Sequence, residues 1–252
     1  MLSRIIKRLL NYFSNSRKPQ NMLLLQHPYS KIPLSPLDVR FVVDVGAFHG
    51  SYSVNAALSY PQATILAFEP FSASISEFRK NTENFSNRIK LFECALSDVE
   101  GESYLNLTST GAANSLCKQT SEHARQNPHV VEVGQEKILV RTLDGVLKSD
   151  GLAGKYIDIL KIDVEGLELN VLRGAQRSIA KSRFVIIEIS LARDSSIKEQ
   201  AVFDIFSMMK VQGFSLYSLI DLYPFEKPEP HLGIAQFDAI FKNTQIEDII
   251  PL

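Results

Sequence analysis

Residues 41–50, FVVDVGAFHG, constrain the fold of this chain more than any other stretch. The segment begins with three apolar residues, two of them β-branched, which is typical of a strand buried on both faces of a parallel sheet. Gly46 and Gly50 then open a turn, and residues 52–59 have helical character. A buried strand, a glycine turn and a helix start form a nucleotide-binding half-unit, in which backbone N–H groups face the ligand. An ordinary strand–helix connection has the same pattern, so the turn alone leaves both interpretations open.

Apolar runs and helical repeats alternate along most of the remaining chain. Strands are predicted at residues 63–68, 89–92, 157–162, 184–189, 214–219 and 236–241, and helices at 71–85, 167–175 and 197–211. This alternation predicts an α/β fold with a parallel, doubly wound sheet of about seven strands. Two further strand-like segments, 101–107 and 137–141, flank a polar stretch at 108–134 that shows no periodicity. A loop of this length inside a compact domain is usually functional or disordered.

The composition bounds the class of protein. A chain of 252 residues fits one α/β domain with a modest extension, and its formal net charge of −1 gives no reason to expect nucleic acid as a partner. Cys94 and Cys117 are the only cysteines, which argues against a disulfide framework or a zinc cluster and fits a cytosolic setting. No apolar run reaches the roughly 18 residues that a membrane-spanning helix needs.

Charge is unevenly distributed, because residues 1–37 contain no acidic residue but carry Arg4, Lys7, Arg8, Arg17, Lys18 and Lys31. A basic amphipathic helix over residues 1–18 either contacts an anionic membrane surface or covers one edge of the domain, and no cleavage site of a signal peptide follows it. We predict an N-terminal extension at residues 1–37 and one domain at 38–252 with a polar insertion at 108–134. The predicted location is cytoplasmic, with the extension able to contact the inner membrane surface.

Acidic residues follow the predicted parallel strands at their carboxyl ends, where ligands bind in an open α/β sheet. They are Asp44, Glu69, Asp98, Asp163, Glu165 and Glu188. Glu69 follows Gly50 at the spacing of a carboxylate that binds both ribose hydroxyls, although a helix N-cap would also explain it. Asp98 also fits ordinary turn chemistry.

Asp163 and Glu165 lie two positions apart between a strand and a helix. Residues two apart in an extended segment point the same way, so both carboxylates could face the cleft and accept a proton or bind a cation. Alternatively, Glu165 caps the helix and Asp163 orders the turn. Lys161, inside the apolar strand, is expected to pair with one of these acids, because a buried unpaired lysine is costly.

The chain resembles the FkbM family of S-adenosylmethionine-dependent methyltransferases through segments in the family's order and spacing: VDVGAFHG, AFEP, CALSDVEG, TLDGVL, LKIDVEGLELNVLRGA and VIIEI. The resemblance covers about residues 40–241, and its most specific part is KIDVEG followed by E-x-x-V-L-x-G-A. It implies a class I methyltransferase fold, with a Rossmann-like seven-stranded sheet, mostly parallel, whose last strand is antiparallel. It also implies S-adenosyl-L-methionine as cofactor and methyl transfer to a hydroxyl of sugars or polyketide-type natural products.

The resemblance implies the site residues as well. A cofactor turn would comprise Asp44, Gly46, Ala47, Phe48 and Gly50, the ribose-binding acid would be Glu69 followed by Pro70, and the adenine side would comprise Ala95, Ser97 and Asp98. Asp163 and Glu165 would face the transferred methyl group, and one of them would be the general base. Phe48 departs from the family, where Asn is more common. No ligand set is specific enough to predict a metal ion, and residues 108–134 are a candidate acceptor lid.

The sequence therefore predicts an S-adenosylmethionine-dependent O-methyltransferase whose acceptor is a sugar, glycan or small natural product. A nicotinamide-dependent dehydrogenase is disfavoured, because the turn at residues 46–50 lacks the G-x-G-x-x-G pattern. A non-catalytic module of the same fold that binds a cofactor or a partner is disfavoured by the acids at all the expected strand ends.

Overall fold

A seven-stranded sheet is the main element of the computed structural model, which describes residues 31–111, 114–116, 130–190, 195–223 and 236–246. The chain divides into two units, Met1–Pro33 and Leu34–Leu252, and the sheet belongs to the second. The helices and strands of the described residues are, in chain order, β1 Phe41–Val45, α1 Ser51–Ser59, β2 Thr64–Phe68, α2 Ser72–Thr82, β3 Ile89–Phe92, β4 Ala95–Leu96, β5 Gly101–Thr108, β6 Glu132–Arg141, α3 Leu143–Ser149, β7 Ile157–Ile162, α4 Glu168–Arg173, α5 Gln176–Ile179, β8 Ser182–Ser190, α6 Ser195–Val211, β9 Phe214–Tyr223 and β10 Gln236–Asn243.

The strand order of the large sheet is β3-β2-β1-β7-β8-β10-β9. The first five strands in this order, β3, β2, β1, β7 and β8, run parallel, whereas β10 is antiparallel to both β8 and β9. Every residue of β1 and β7 is buried, because helices cover both faces of a doubly wound sheet. The predicted parallel sheet with an antiparallel last strand is therefore confirmed.

The two strand-like segments around the polar stretch lie outside this sheet. β5 pairs antiparallel with β6, and β4 joins β6 in a separate three-stranded sheet. β6 begins at Glu132, earlier than the predicted start at residue 137, so the end of the polar stretch is strand. The first half of β6 is largely exposed, and for this reason no apolar pattern marked it in the sequence.

The helix predicted at residues 167–175 consists of two short helices, α4 and α5. Gly174 caps the carboxyl end of α4, and a Cβ atom at this position would lie 2.0 Å from the carbonyl oxygen of Ser97. The helix therefore ends at a close backbone contact that only glycine permits. The predicted helices at residues 71–85 and 197–211 are confirmed as α2, which a short 3₁₀ turn at Glu83–Phe85 follows, and α6.

Residues 1–30 lie outside the described part of the chain, so the amphipathic segment at residues 1–18 and the boundary at residue 37 stay predictions. None of the helices within the described ranges is long and apolar enough to cross a membrane.

Candidate active site

A cavity of about 220 Å³ opens at the carboxyl ends of β1, β2, β7 and β8. By this measure a single water needs about 10–15 Å³, so the space suits a small organic ligand. Of the predicted site residues, those lining the cavity are Gly46, Phe48, Glu69, Pro70, Ala95, Asp163 and Glu165. The other predicted residues, Asp44, Ala47, Gly50, Ser97 and Asp98, are not among its lining residues.

The turn after β1 owes its shape to glycine and to an unusual phenylalanine. Gly46, Phe48 and Gly50 have φ values of 81°, 47° and 82°, which lie in the left-handed region. A Cβ atom on Gly46 would lie 1.7 Å from the carbonyl oxygen of Asp163, so glycine lets the turn pass directly beside β7. This close approach places the turn next to the acidic residues that follow β7.

The backbone N–H groups of this turn are used inside the protein. Those of Gly46 and Ala47 donate to the carbonyl oxygen of Phe68 at 3.1 and 2.9 Å, and that of Gly50 donates to Ala47 at 2.8 Å. The N–H of Phe48 donates to Glu69 Oε2 at 2.8 Å. The expectation that the N–H groups of the turn face a ligand is therefore wrong for these four, and the turn differs from a phosphate-binding loop.

Asp44 is fully buried beneath the turn. Its Oδ2 accepts a hydrogen bond from Ser53 Oγ at 2.6 Å, and its register partner on β7 is Lys161. Burial raises the pKa of Asp44, although the positive charge of Lys161 acts in the opposite direction. Asp44 thus links β1 to α1, next to Lys161 of β7.

Glu69 ends β2 and is nearly buried, with both carboxylate oxygens held by backbone N–H groups. Oε2 accepts from Phe48 at 2.8 Å and Oε1 accepts from Phe71, at the start of α2, at 2.9 Å. Glu69 therefore hydrogen-bonds the N-terminus of α2, as the helix-capping alternative expects, and also lies in the cavity wall. Burial raises the pKa of Glu69 to about 7 in spite of these hydrogen bonds. Each carboxylate oxygen has two lone pairs, so each can still accept a hydrogen bond from a hydroxyl group.

The segment after β3 contributes an apolar wall. Ala95 lines the cavity together with Cys94 and Leu96. Ser97 and Asp98 belong to the adjoining turn, where Asp98 Oδ1 accepts from Ser97 Oγ at 3.0 Å and from Asn170 Nδ2 at 3.1 Å. The hydrogen bond from Asn170 is the main reason why the pKa of Asp98 is lowered. Asp98 therefore has the turn-ordering contacts that the sequence left as an alternative.

Three carboxylates meet at the opposite wall, beside the ends of β7 and β8. Asp163, Glu165 and Glu188 each offer an oxygen, and these oxygens lie within 4.8 Å of one another. Burial and the neighbouring charge of Asp163 raise the pKa of Glu188, which favours a proton shared with Asp163. The group is an acidic cluster able to hold a proton or a divalent cation.

Lys161 supplies the countercharge, as expected from the sequence. Its Nζ lies 2.6 Å from Asp163 Oδ2 and 4.8 Å from the centre of the Tyr52 ring. Burial alone would lower the pKa of Lys161, but the attraction of Asp163 and Asp44 outweighs it and the pKa is raised. The ammonium group therefore stays charged and holds one oxygen of Asp163.

Glu188 was predicted to lie at the carboxyl end of a strand but was given no role in the site, and Asp238 was not among the predicted site residues. They are register partners on β8 and β10, and Glu188 also accepts from Gln236. Burial raises the pKa of Asp238 to about 6. The sequence shows an acid within each of these two apolar strands. Only the strand order β7-β8-β10 shows that both acids lie near the end of β7, where Asp163 follows.

Part of the polar insertion lies over the cavity. We define the covering segment as residue 111 and residues 114–116, and all four of its residues, Gly111, Asn114, Ser115 and Leu116, line the cavity. Ser115 pairs with Asn106 of β5 through a β-bridge, and its Oγ donates to the carbonyl oxygen of Glu165 at 2.8 Å. The rest of the predicted lid, at residues 112–113 and 117–129, lies outside the described residues.

Comparison with known proteins establishes the family. Residues 44–216 match the methyltransferase FkbM domain. The chain belongs to the FkbM methyltransferase family. The motif resemblance is confirmed, and membership implies a methyl donor as cofactor.

Two relatives and one solved structure are similar to this FkbM-family chain. It is 26% identical over 253 residues to the 2-O-methyltransferase NoeI of Sinorhizobium fredii, covering 98% of this chain and 96% of NoeI. It is 33% identical over 148 residues to Methyltransferase 1 of Beauveria bassiana, covering 54% of this chain and 59% of that protein. The crystal structure of the methyltransferase FkbM from Methylobacillus flagellatus superposes with a TM-score of 0.50 and 17% identity, covering 90% of this chain and 50% of that one. The class I methyltransferase fold is thereby confirmed, and the chain spans about three fifths of the length of Methyltransferase 1 and half of the length of the Methylobacillus protein.

Proposed function

We propose that this chain transfers a methyl group from S-adenosylmethionine to a hydroxyl oxygen of a sugar, glycan or small natural product. The observation that carries the proposal is one cavity, in a methyltransferase fold, with Glu69 in one wall and the Asp163–Glu165–Glu188 cluster in the other. The two walls suit the two substrates of such a reaction, because Glu69 can bind the ribose of the methyl donor and the acidic cluster can take up the proton of the acceptor hydroxyl.

The residues of the cavity fit S-adenosylmethionine, which would supply an activated methyl group on a positively charged sulfur. Glu69 keeps one lone pair on each oxygen for the ribose hydroxyls, beyond those that bind Phe48 and Phe71. Ala95, Leu96 and Cys94 offer an apolar surface for a purine ring. The acidic cluster supplies negative charge, which favours a cation in the cavity.

Transfer to a hydroxyl requires a group that accepts its proton. Asp163 and Glu165 are the proposed bases, since both line the cavity and the protonated state of Glu188 is the favoured one. Lys161 holds Asp163 in place through the 2.6 Å contact, so the carboxylate is positioned before the acceptor arrives. The name of NoeI, a 2-O-methyltransferase that aligns along nearly the whole chain, supports oxygen as the methylated atom.

A transfer assay tests this proposal. Purified protein would be incubated with S-adenosylmethionine labelled in the methyl group and with methyl glycosides, polyols or hydroxylated polyketides. We expect label in an acceptor product that survives mild alkali, because methyl ethers survive it and methyl esters do not. Label that alkali removes, or label on nitrogen, would contradict the proposed O-methylation.

A further inference from the structure

Glu188 is the member of the acidic cluster to which the proposed reaction gives no task. It lies near the end of β8, lines the cavity and forms a side-chain hydrogen bond with Asp163. An ionised carboxylate only accepts hydrogen bonds, so two carboxyl groups can bond to each other only when one of them carries a proton. The contact between Glu188 and Asp163 therefore requires a proton on one of the two.

The neighbours of the pair determine which carboxyl group carries this proton. Lys161 Nζ lies 2.6 Å from Asp163 Oδ2, and the ammonium charge favours the ionised form of Asp163. Glu188 instead has Asp238 as its register partner on β10, and a second negative charge disfavours its ionisation. Asp163 is consequently the acceptor and Glu188 the donor.

The electrostatics of Glu188 agree with this direction. Burial and the charge of Asp163 raise its pKa, and the attraction of Lys161 offsets this only in part. Glu188 also faces the remaining acid of the cluster and two groups on the neighbouring strands β10 and β9, namely Glu165, Asp238 and Tyr223. Each of these groups is neutral or negatively charged, so none of them attracts a negative charge on Glu188.

Gln236 holds Glu188 from the other side. This residue begins β10, and its Nε2 donates to Glu188 Oε1. Because Oε1 already accepts this hydrogen bond, Oε2 is the oxygen better suited to carry the proton. Glu188 is thus fixed by β10, and Asp163 is held between Glu188 of β8 and Lys161 of β7.

We infer that Glu188 is a positioning residue, which in its protonated form donates a hydrogen bond to Asp163 and holds this carboxylate in place at the cavity wall. This inference rests on the proposed function and adds β8 and β10 to the elements that build the acidic wall. Two donors restrict a side chain that a single donor would leave free to rotate, and a fixed orientation of the reacting group contributes to the rate.

Carboxyl NMR tests the hydrogen bond directly and needs no substrate. The full chain is labelled with ¹³C at the glutamate side-chain carboxyl and titrated with base in the presence of EDTA, so that no divalent cation occupies the cluster. Glu188→Gln assigns the Glu188 signal by its loss, and the exposed Glu77 provides a reference signal. We expect Glu188 to be protonated at neutral pH. Its midpoint should fall by about one pH unit or more in Asp163→Asn, because that variant removes the negative charge to which Glu188 donates.

Turnover supplies a second readout, measured with the acceptor that the transfer assay labels. Glu188→Gln keeps a donor for Asp163 and an acceptor for Gln236, whereas Glu188→Leu removes both at similar volume. We expect the Gln variant to turn over at least about tenfold faster than the Leu variant at saturating substrates. Affinity for S-adenosylmethionine should equal that of the wild type in both, because neither variant changes the charge of a protonated Glu188.

Several results would overturn the inference. They are a Glu188 signal that is ionised at neutral pH, a midpoint that stays unmoved in Asp163→Asn, and a Leu variant as active as the Gln variant. If the Leu variant does not fold, the titrations of the wild type and of Asp163→Asn still decide. Absence of S-adenosylmethionine binding or of label transfer would instead contradict the proposed function, on which the outcome of the titration does not depend.

Discussion

Phe48 holds a backbone conformation that phenylalanine rarely adopts. Its φ of 47° is left-handed, its N–H supports Glu69, and its ring stacks on His49 with centroids 3.7 Å apart. Among non-glycine residues, Asn is the type that tolerates this conformation well. The family's more common Asn is therefore the less strained choice, and Phe48 places an aromatic ring in the cavity wall at a cost in stability.

Replacing Phe48 should reveal that strain. Phe48→Asn is expected to raise the free energy of unfolding by about 1 kcal/mol, because strained conformations cost of the order of 1–3 kcal/mol. Phe48→Leu, which keeps an apolar side chain in the same conformation, is the control and should bring no gain. Urea denaturation measures both, and an Asn variant no more stable than the Leu variant would show that the conformation carries no strain.

Glu69 should make cofactor binding depend on pH. Its pKa of about 7 in the folded protein lies above the ordinary value of 4.5, so folding favours the protonated form. The contribution of this group to the free energy of unfolding therefore falls as pH rises from about 4.5 to about 7. The ionised form, in contrast, accepts hydrogen bonds from both ribose hydroxyls, so affinity for S-adenosylmethionine should rise as the pH passes through about 7, the pKa of Glu69 in the folded protein.

Glu69→Ala isolates this effect. The variant should bind S-adenosylmethionine about 1–3 kcal/mol more weakly above the pKa and should lose the pH dependence attributable to this carboxylate. Glu77→Ala, an exposed glutamate of α2, is the matched control and should behave like the wild type. Calorimetric titrations at several pH values provide the comparison; equal affinity of the Glu69 variant and the wild type would remove Glu69 from the ribose.

The proposed bases are testable by neutral substitutions of nearly the same shape. Asp163→Asn and Glu165→Gln should lower turnover, by about 10²-fold or more in whichever variant lacks the base. Asp150→Asn, at a surface ion pair with Lys90, is the control. The readout is the rate of label transfer at saturating cofactor. Full activity in both variants would mean that neither carboxylate takes the proton.

At the scale of helices and strands, the end of α4 shows why the family motif contains glycine. Gly174 approaches the backbone of Ser97 and Asp98, and Asn170 of the same helix donates to Asp98. The contact fixes the turn after β4 against the helix, and that turn follows the apolar wall of the cavity. A side chain at position 174 would have to push the turn away.

Gly174→Ala should therefore destabilise the protein. The added Cβ would lie 2.0 Å from a carbonyl oxygen, and overpacking of this kind costs about 1–3 kcal/mol. Arg173→Ala, at the preceding exposed position, is the control and should change stability little. Chemical denaturation compares the two, and a Gly174→Ala variant as stable as the control would mean that the turn yields without cost.

The strands of the core were predictable because burial on both faces leaves continuous apolar runs, as in β1, β2 and β7. β6 was predictable only in part, since its exposed first half has no apolar pattern. The position of Glu69 and Asp163 at the sheet edge followed from strand direction. The burial of Asp44 away from the cavity and the closeness of Glu188 to Asp163 depend on strand order and side-chain direction, which a sequence does not display.

At the scale of the whole molecule, every cavity residue lies in the unit Leu34–Leu252. Deleting residues 1–18 is therefore expected to leave folding and methyl transfer unchanged. Circular dichroism and the transfer assay measure the two properties, with the full chain as control. Loss of cooperative unfolding in the shortened chain would show that the basic segment is part of the domain.

The most direct test of the central claim is a calorimetric titration of the full chain with S-adenosylmethionine, using NAD as the control nucleotide. The account predicts saturable binding of S-adenosylmethionine, weakened by Glu69→Ala, and no binding of NAD. Binding of NAD alone, or of neither compound, would contradict the assignment of this cavity to a methyl donor.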